Sequence, residues 1–145
     1  MSYTLTVTTV QPQPPTIQVV EKTVWYYADG GIWTGNEQDG PTTLTMNGSG
    51  TSGTLRFMTN DGDFFVVALG INGYVRWCDI VTDLAAGNTG LEIHPTYYND
   101  GERTDARNKN LSKLEKTDKQ GRKIAVEYTA PIDNTYSVTI TITVT

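Results

Sequence analysis

The chain has 145 residues, of which 37% are hydrophobic, 10% aromatic and 19% charged, a size that fits one domain spanning 1–145. A formal net charge of −5 and a pI near 4.7 argue against a general nucleic-acid binder. No apolar run approaches the roughly 18 residues of a membrane span, and a single cysteine, Cys78, excludes an internal disulfide or a cysteine-based zinc cluster and suits a reducing, cytoplasmic setting.

The opening stretch MSYTLTVTTV has neither a basic segment nor an apolar core, so no secretory signal is expected. Its Tyr3, Leu5 and Val7 alternate with Thr4, Thr6 and Thr8, which predicts a half-buried strand. Gln11 to Pro15 holds three prolines and reads as a loop or edge. Strands are expected at Ile17–Tyr27, Thr42–Met46, Gly53–Thr59, Phe64–Leu69 and Lys123–Thr129, with Gly, Asn and Asp turn signals at 28–31, 36–41 and 60–63 between them. Glu102 to Lys116, with a thin stripe of Ala106, Leu111 and Leu114, predicts one polar surface helix. The C-terminus gives the cleanest alternation, placing Tyr136, Val138, Ile140, Ile142 and Val144 on one face. Two antiparallel sheets packed face to face with a flanking helix is the simplest architecture.

Charge is unevenly placed. Eight basic and four acidic residues between Glu102 and Lys123 make that segment +4, leaving the remainder at −9. The signs are interspersed, so a solvated face explains them better than an anion-docking patch. His94 is the only histidine and precedes Pro95 in an expected turn, which disfavours a nucleophilic triad or a multi-histidine metal site.

Three stretches carry candidate chemistry. Residues 47–53, AsnGlySerGlyThrSerGly, combine turn-forming glycines with the Ser49, Thr51 and Ser52 hydroxyls; they lack the lysine of a phosphate loop. Residues 74–83 bring Arg76, Trp77, Asp79 and Thr82 close together. A sugar suits that set: hydroxyls donate to a carboxylate, a guanidinium donates to ring and acetamide oxygens, and an aromatic face covers C–H groups. Trp77 and Cys78 also fit plain core roles. Residues 95–103 place Tyr97 and Tyr98 as a wedge between helix and sheet. They end on Arg103, a cation at a helix start where acids are preferred, so Asp79 is a candidate partner. Asp61 with Asp63, or Asp79 with Asp83, could in principle serve as an acid–base pair for glycoside hydrolysis.

Taken in order, these stretches resemble the fungal fruit-body lectin family. The resemblance runs through ValGluLysThrValTrp (20–25), TyrAlaAspGlyGly (27–31), GlySerGlyThrSerGlyThrLeuArgPhe (48–57), TyrValArgTrpCysAspIleValThr (74–82), ProThrTyrTyrAsnAspGly (95–101), ArgThrAspAlaArg (103–107) and GlyArgLys…ValGluTyrThr (121–129). Segments 3–18 and 131–145 match in pattern more than in identity.

The resemblance implies an all-β, actinoporin-like β-sandwich with a short flanking helix, no catalysis and no cofactor. It implies two sugar sites per subunit, a homo-oligomer (dimer or tetramer), glycans of glycoproteins or glycolipids as partners, and a role in defence. One site, for terminal N-acetylglucosamine, would use Asp79, Ile80, Thr82, Arg103 and Leu114. The other, for galactose-β1,3-N-acetylgalactosamine (the Thomsen-Friedenreich antigen), would use Ala28, Asp29, Ser49, Gly50, Asn72 and Gly73. The chain departs from the family at Asn72-Gly73-Tyr74, where His-Asn-Tyr is usual, and at Leu114, where a tyrosine is usual. Two rivals stay open: a membrane-active, actinoporin-like pore former, which needs an amphipathic N-terminal helix, and a glycosidase. No nucleic acid and no membrane insertion are expected for the lectin.

Overall fold

A computed structural model describes residues 2–25, 30–35 and 40–144. In chain order the elements are β1 (Tyr3–Val10), β2 (Gln18–Trp25), β3 (Gly31–Gly35), β4 (Thr42–Met46), β5 (Ser52–Met58), β6 (Phe64–Asn72) and β7 (Val75–Leu84). Then come α1 (Gly90–Ile93), a 3-10 turn (His94–Tyr97), α2 (Thr104–Asn108), β8 (Lys113–Thr117), β9 (Lys123–Tyr128) and β10 (Thr135–Thr143). They build a six-stranded sheet, β3-β4-β1-β10-β9-β8, and a four-stranded sheet, β2-β5-β6-β7. Neighbours pair antiparallel except β1 and β10, which run parallel with Leu5 opposite Tyr136 and Val7 opposite Val138.

Period-two patterning decides which side chains meet between the sheets. Tyr3, Leu5, Val7, Leu44, Met46, Val138, Ile140 and Ile142 from one sheet pack on Leu55, Phe57, Phe65, Val67, Leu69 and Ile80 from the other. The four-stranded sheet is covered on its outer face as well. There Val66, Ala68 and Trp77 pack beneath Ile93, Tyr97 and Tyr98. This double burial explains the unbroken apolar run of β6, whose residues Phe64 to Ile71 are all buried.

The expected strands are found, with ends shifted by a few residues; the end of the strand expected at Ile17–Tyr27 lies beyond Trp25, outside the described residues. Strands β3 and β7 were not anticipated. The helix expected over Glu102–Lys116 is replaced by α2 and the edge strand β8. Asn110 takes a φ of 50°, which stops any helix after α2. The lysines and glutamate of β8 are the charges of an edge strand bonded on one side only, and they mimic a polar helix face. Val144 falls beyond β10 and is exposed, so four apolar residues of the terminal alternation reach the core rather than five.

His94 opens the 3-10 turn, as expected before Pro95, and is buried there. It is 2% exposed, with Nδ1 at 2.7 Å from Thr23 Oγ1 and Nε2 at 2.7 Å from Ser52 Oγ. Ser52 Oγ lies 2.5 Å from the Tyr98 hydroxyl. Burial pushes the imidazole down to about 4 from its ordinary 6.5, keeping it neutral. A depressed histidine contributes stability that is complete above 6.5 and is lost as pH falls toward 4; at about 1.4 kcal/mol per unit the loss is about 3 kcal/mol. Urea midpoints should therefore fall between pH 6.5 and 4, and His94→Gln should flatten that fall; a variant with an undiminished slope would assign it to other groups.

Asp61 and Asp63 do not form an acid–base pair. Arg122, 6% exposed, donates from Nε to Asp118 at 2.8 Å, from one terminal nitrogen to both Asp61 oxygens at 3.1 Å and from the other to Asp63 at 3.0 Å. The bond from Thr59 and the Arg122 guanidinium hold the Asp61 carboxyl below its usual range. One planar fork thus ties the β5–β6 turn to the β8–β9 turn. Arg122→Ala removes the counter-charge of the buried Asp118 carboxylate, leaving it only the Gln120 and Arg122 amides, and should cost about 3–5 kcal/mol in chemical denaturation. Arg122→Lys should recover little, because a point charge cannot reproduce the fork.

Candidate functional site

The edge strands β7 and β8 approach each other on one open side of the sandwich, and α2 with the residues before it closes the end. The result is a hollow of about 410 Å³ whose lining includes Asp79, Thr82, Arg103, Leu114 and Lys116. Residues 79 and 103 are distant in sequence, yet they face the same space.

Asp79 is 7% exposed and held from behind. The Tyr97 hydroxyl donates to its Oδ2 at 2.6 Å, and Lys116 Nζ stands 3.9 Å from its Oδ1. Burial first, and then the Asp79 charge and bond, push the Tyr97 phenol far up, so it serves purely as a donor. One carboxylate oxygen is thereby fixed, and the other keeps lone pairs for a ligand's hydroxyls.

Arg103 does not pair with Asp79. Its guanidinium donates to Thr96 Oγ1 and to Glu102 Oε1, both at 3.0 Å. Tyr97 and Thr96 belong to the same 3-10 turn, so one short segment orients both charged groups of the hollow. Tyr97 is fully buried against Trp77, ring centroids 5.1 Å apart, and forms the expected wedge with Tyr98.

Thr82 would share the inward face of Ile80 if β7 alternated strictly. Instead β7 carries an extra residue where Val66 opposes Val81 but Phe64 opposes Leu84. That bulge, with Asp83 at φ 61°, turns Thr82 toward the hollow. Asp83 accepts from the Lys119 amide at 3.0 Å, and the second carboxylate that lines the hollow, Glu102, is bonded to Arg103. Ile80 itself is fully buried in the core and presents only its carbonyl, which accepts from Lys116 Nζ at 2.7 Å. Leu114 stands on β8 rather than on a helix. Lys116 follows it by two on the same strand face, so reading 113–117 as a strand would have exposed this lysine as a site residue.

Cys78 plays no part in the hollow. It is fully buried, its thiol is pushed up to about 12 by burial, and Sγ lies 3.5 Å from the Leu111 carbonyl. Among the described residues no group of three or more His, Cys, Asp or Glu side chains could hold a metal ion.

The second candidate group gathers at the β6–β7 hairpin. Asn72 pairs with Val75, so the two-residue loop is Gly73–Tyr74, one position later than the turn expected at Asn72–Gly73. Their φ values of 56° and 67° are those of a mirror-image hairpin turn, in which glycine is at home and tyrosine is not. Holding a tyrosine there costs about 1–2 kcal/mol, and the residue is 76% exposed. Ser49 Oγ accepts from the Tyr74 amide at 2.9 Å, which brings the 47–53 turn beside the hairpin. The Gly50 amide donates to the Ile71 carbonyl at 2.8 Å and so is not free to bond a ligand. Asn72 Nδ2 points to Asn108 Oδ1 at 3.4 Å. Ala28 and Asp29 lie outside the described residues.

The family model for fungal fruit body lectin matches residues 1–140. The chain is 46% identical to Boletus edulis lectin over 131 residues, covering 89% of this chain and 90% of that protein. The crystal structure of wild-type Xerocomus chrysenteron lectin superposes with a TM-score of 0.91 at 41% identity, covering 98% of this chain and 99% of that one. The lipid-binding protein Nakanori, at 11% identity, shares the fold with a TM-score of 0.55 over 97% of this chain and 70% of its own. The all-β, actinoporin-like sandwich with short flanking helices is thus the fold of this chain, and by sequence and structure the chain belongs to the fungal fruit body lectin family.

Proposed function

We propose that this protein is a non-enzymatic, cytoplasmic lectin that binds N-acetylglucosamine-terminated glycans in the hollow between β7 and β8. The observation that carries the proposal is the convergence of Asp79, Thr82 and Arg103 on one small hollow, with Asp79 fixed by Tyr97 and Arg103 by Thr96. Adjacent sugar hydroxyls donate to Asp79 Oδ1, which only Lys116 faces at 3.9 Å among the described residues, while Arg103 and Lys116 donate to ring or acetamide oxygens. Leu114 offers an apolar wall to the ring or the acetamide methyl. With Asp79 tied to a phenol and the other lining carboxylate, Glu102, bonded to Arg103, the arrangement favours holding a sugar over cleaving one.

Galactose-β1,3-N-acetylgalactosamine is proposed for the hairpin group of Ser49, Asn72 and Gly73, with Ala28 and Asp29 carried over from the resemblance. Each site alone is small, so a dimer or tetramer displaying several would raise avidity on the glycans of glycoproteins or glycolipids, as a role in defence requires. The pore-forming alternative calls for an amphipathic helix at the N-terminus, whereas residues 3–10 are a strand set between β4 and β10.

Asp79→Asn keeps an acceptor for Tyr97 and removes the charge. By calorimetry it should weaken N-acetylglucosamine binding about ten-fold or more, the scale of a hydrogen bond to a charged group, with little change in melting temperature. Asp79→Ala should lose the binding too, and also about 1–3 kcal/mol of stability, because it strands the buried Tyr97 hydroxyl. Unchanged affinity in Asp79→Asn would remove this hollow as the site.

A further inference from the structure

We propose that the groove flanking the β6–β7 hairpin is a further saccharide subsite, taking a neutral sugar ring of a glycan that extends beyond the Ser49–Gly73 turn. The groove measures about 420 Å³, and Tyr74, Arg76, Ser112, Pro131 and Tyr136 are among its lining residues. It is separate from the Asp79 hollow and shares no lining residue with it.

Three observations converge on a sugar. Tyr74 holds an exposed aromatic ring at the groove's rim in a left-handed backbone conformation that glycine would adopt without strain. A side chain kept at such a position against the preference of the turn marks a functional surface, and its flat face suits the C–H side of a pyranose. Tyr136 is 8% exposed, lines the groove, and its hydroxyl has no hydrogen-bond partner among the described residues. Its neighbour Tyr128 differs, donating to the Trp77 carbonyl at 2.7 Å. Arg76 commits one terminal nitrogen to the Asn110 carbonyl at 3.1 Å and keeps the rest of its fork without a partner among the described residues. A platform, a phenol and a guanidinium around one small groove complement a polyhydroxylated ring.

This subsite rests on the glycan-binding reading above, and the Asp79 hollow supplies the control. The wild-type protein is titrated calorimetrically with N-acetylglucosamine, with the disaccharide galactose-β1,3-N-acetylgalactosamine, and with a tetrasaccharide that carries this disaccharide on a β1,4-linked lactose. The tetrasaccharide should bind about ten-fold more tightly than the disaccharide. Tyr136→Phe should cut its affinity by about two- to ten-fold, the range for one neutral hydrogen bond, while N-acetylglucosamine affinity holds. Tyr74→Gly should abolish the tetrasaccharide's advantage and raise the melting temperature by about 2–4 °C, since it relieves the backbone. That pairing of gained stability with lost ligand separates a binding role from a structural one. Equal affinity for the two oligosaccharides, or Tyr136→Phe and Tyr74→Gly that bind the tetrasaccharide like wild type, overturns the subsite while leaving the wider reading intact. A wild-type protein that binds none of the three sugars overturns both.

Discussion

A buried phenol and a nearly buried carboxylate, Tyr97 and Asp79, meet at 2.6 Å, and the candidate site depends on that contact. A carboxylate at this depth needs a donor to offset its desolvation. The donor it finds sits on the segment that roofs the outer face of the four-stranded sheet. Ile93, Tyr97 and Tyr98 are pressed onto Val66, Ala68 and Trp77, so the apolar contacts that cover the sheet also aim the hydroxyl. The same 3-10 turn supplies Thr96 to Arg103 and His94 to Ser52 and Thr23. Packing, site geometry and the response to acid are therefore properties of one short stretch.

Four aspartates, Asp61, Asp63, Asp79 and Asp118, fall into two physical roles. Asp61, Asp63 and Asp118 are absorbed by the Arg122 fork and tie two turns together. Asp79 has one oxygen taken by Tyr97 and keeps the other toward an open hollow between two edge strands. What separates a structural carboxylate from a ligand-binding one here is unused hydrogen-bonding capacity at an accessible place, not charge. Edge strands suit that role because their outer sides are free of ladder partners, while the sheets behind them keep the side chains rigid.

The β6–β7 hairpin shows the opposite balance between stability and function. Gly73 accommodates the positive φ of the turn at no steric cost, whereas Tyr74 occupies the adjoining left-handed position with a bulky, exposed ring. The local backbone preference is violated at the point where Ser49, the groove and the hairpin come together. Departures from local consistency of this kind gather where proteins bind ligands.

The alternation of β1 and β10, the apolar run of β6 and the turn residues between strands were legible in the amino-acid order alone. Period-two burial is a local property, fixed once a segment is half covered. Asp79, Thr82 and Arg103 were legible as chemistry that suits a sugar, and the family as a run of motifs at consistent spacing. The partners of those groups were not. Whether Arg103 meets Asp79 or Thr96, whether Leu114 stands on a helix or a strand, and whether His94 is exposed or buried all depend on contacts between residues far apart in the chain. Charged edge strand and polar helix share one composition, and only the β9 ladder beside residues 113–117 chooses between them. Sequence thus determined the faces and the available chemistry. The packing of one segment across another decided which groups remain free to hold a ligand, because hydrogen-bond capacity is allotted only when distant side chains meet.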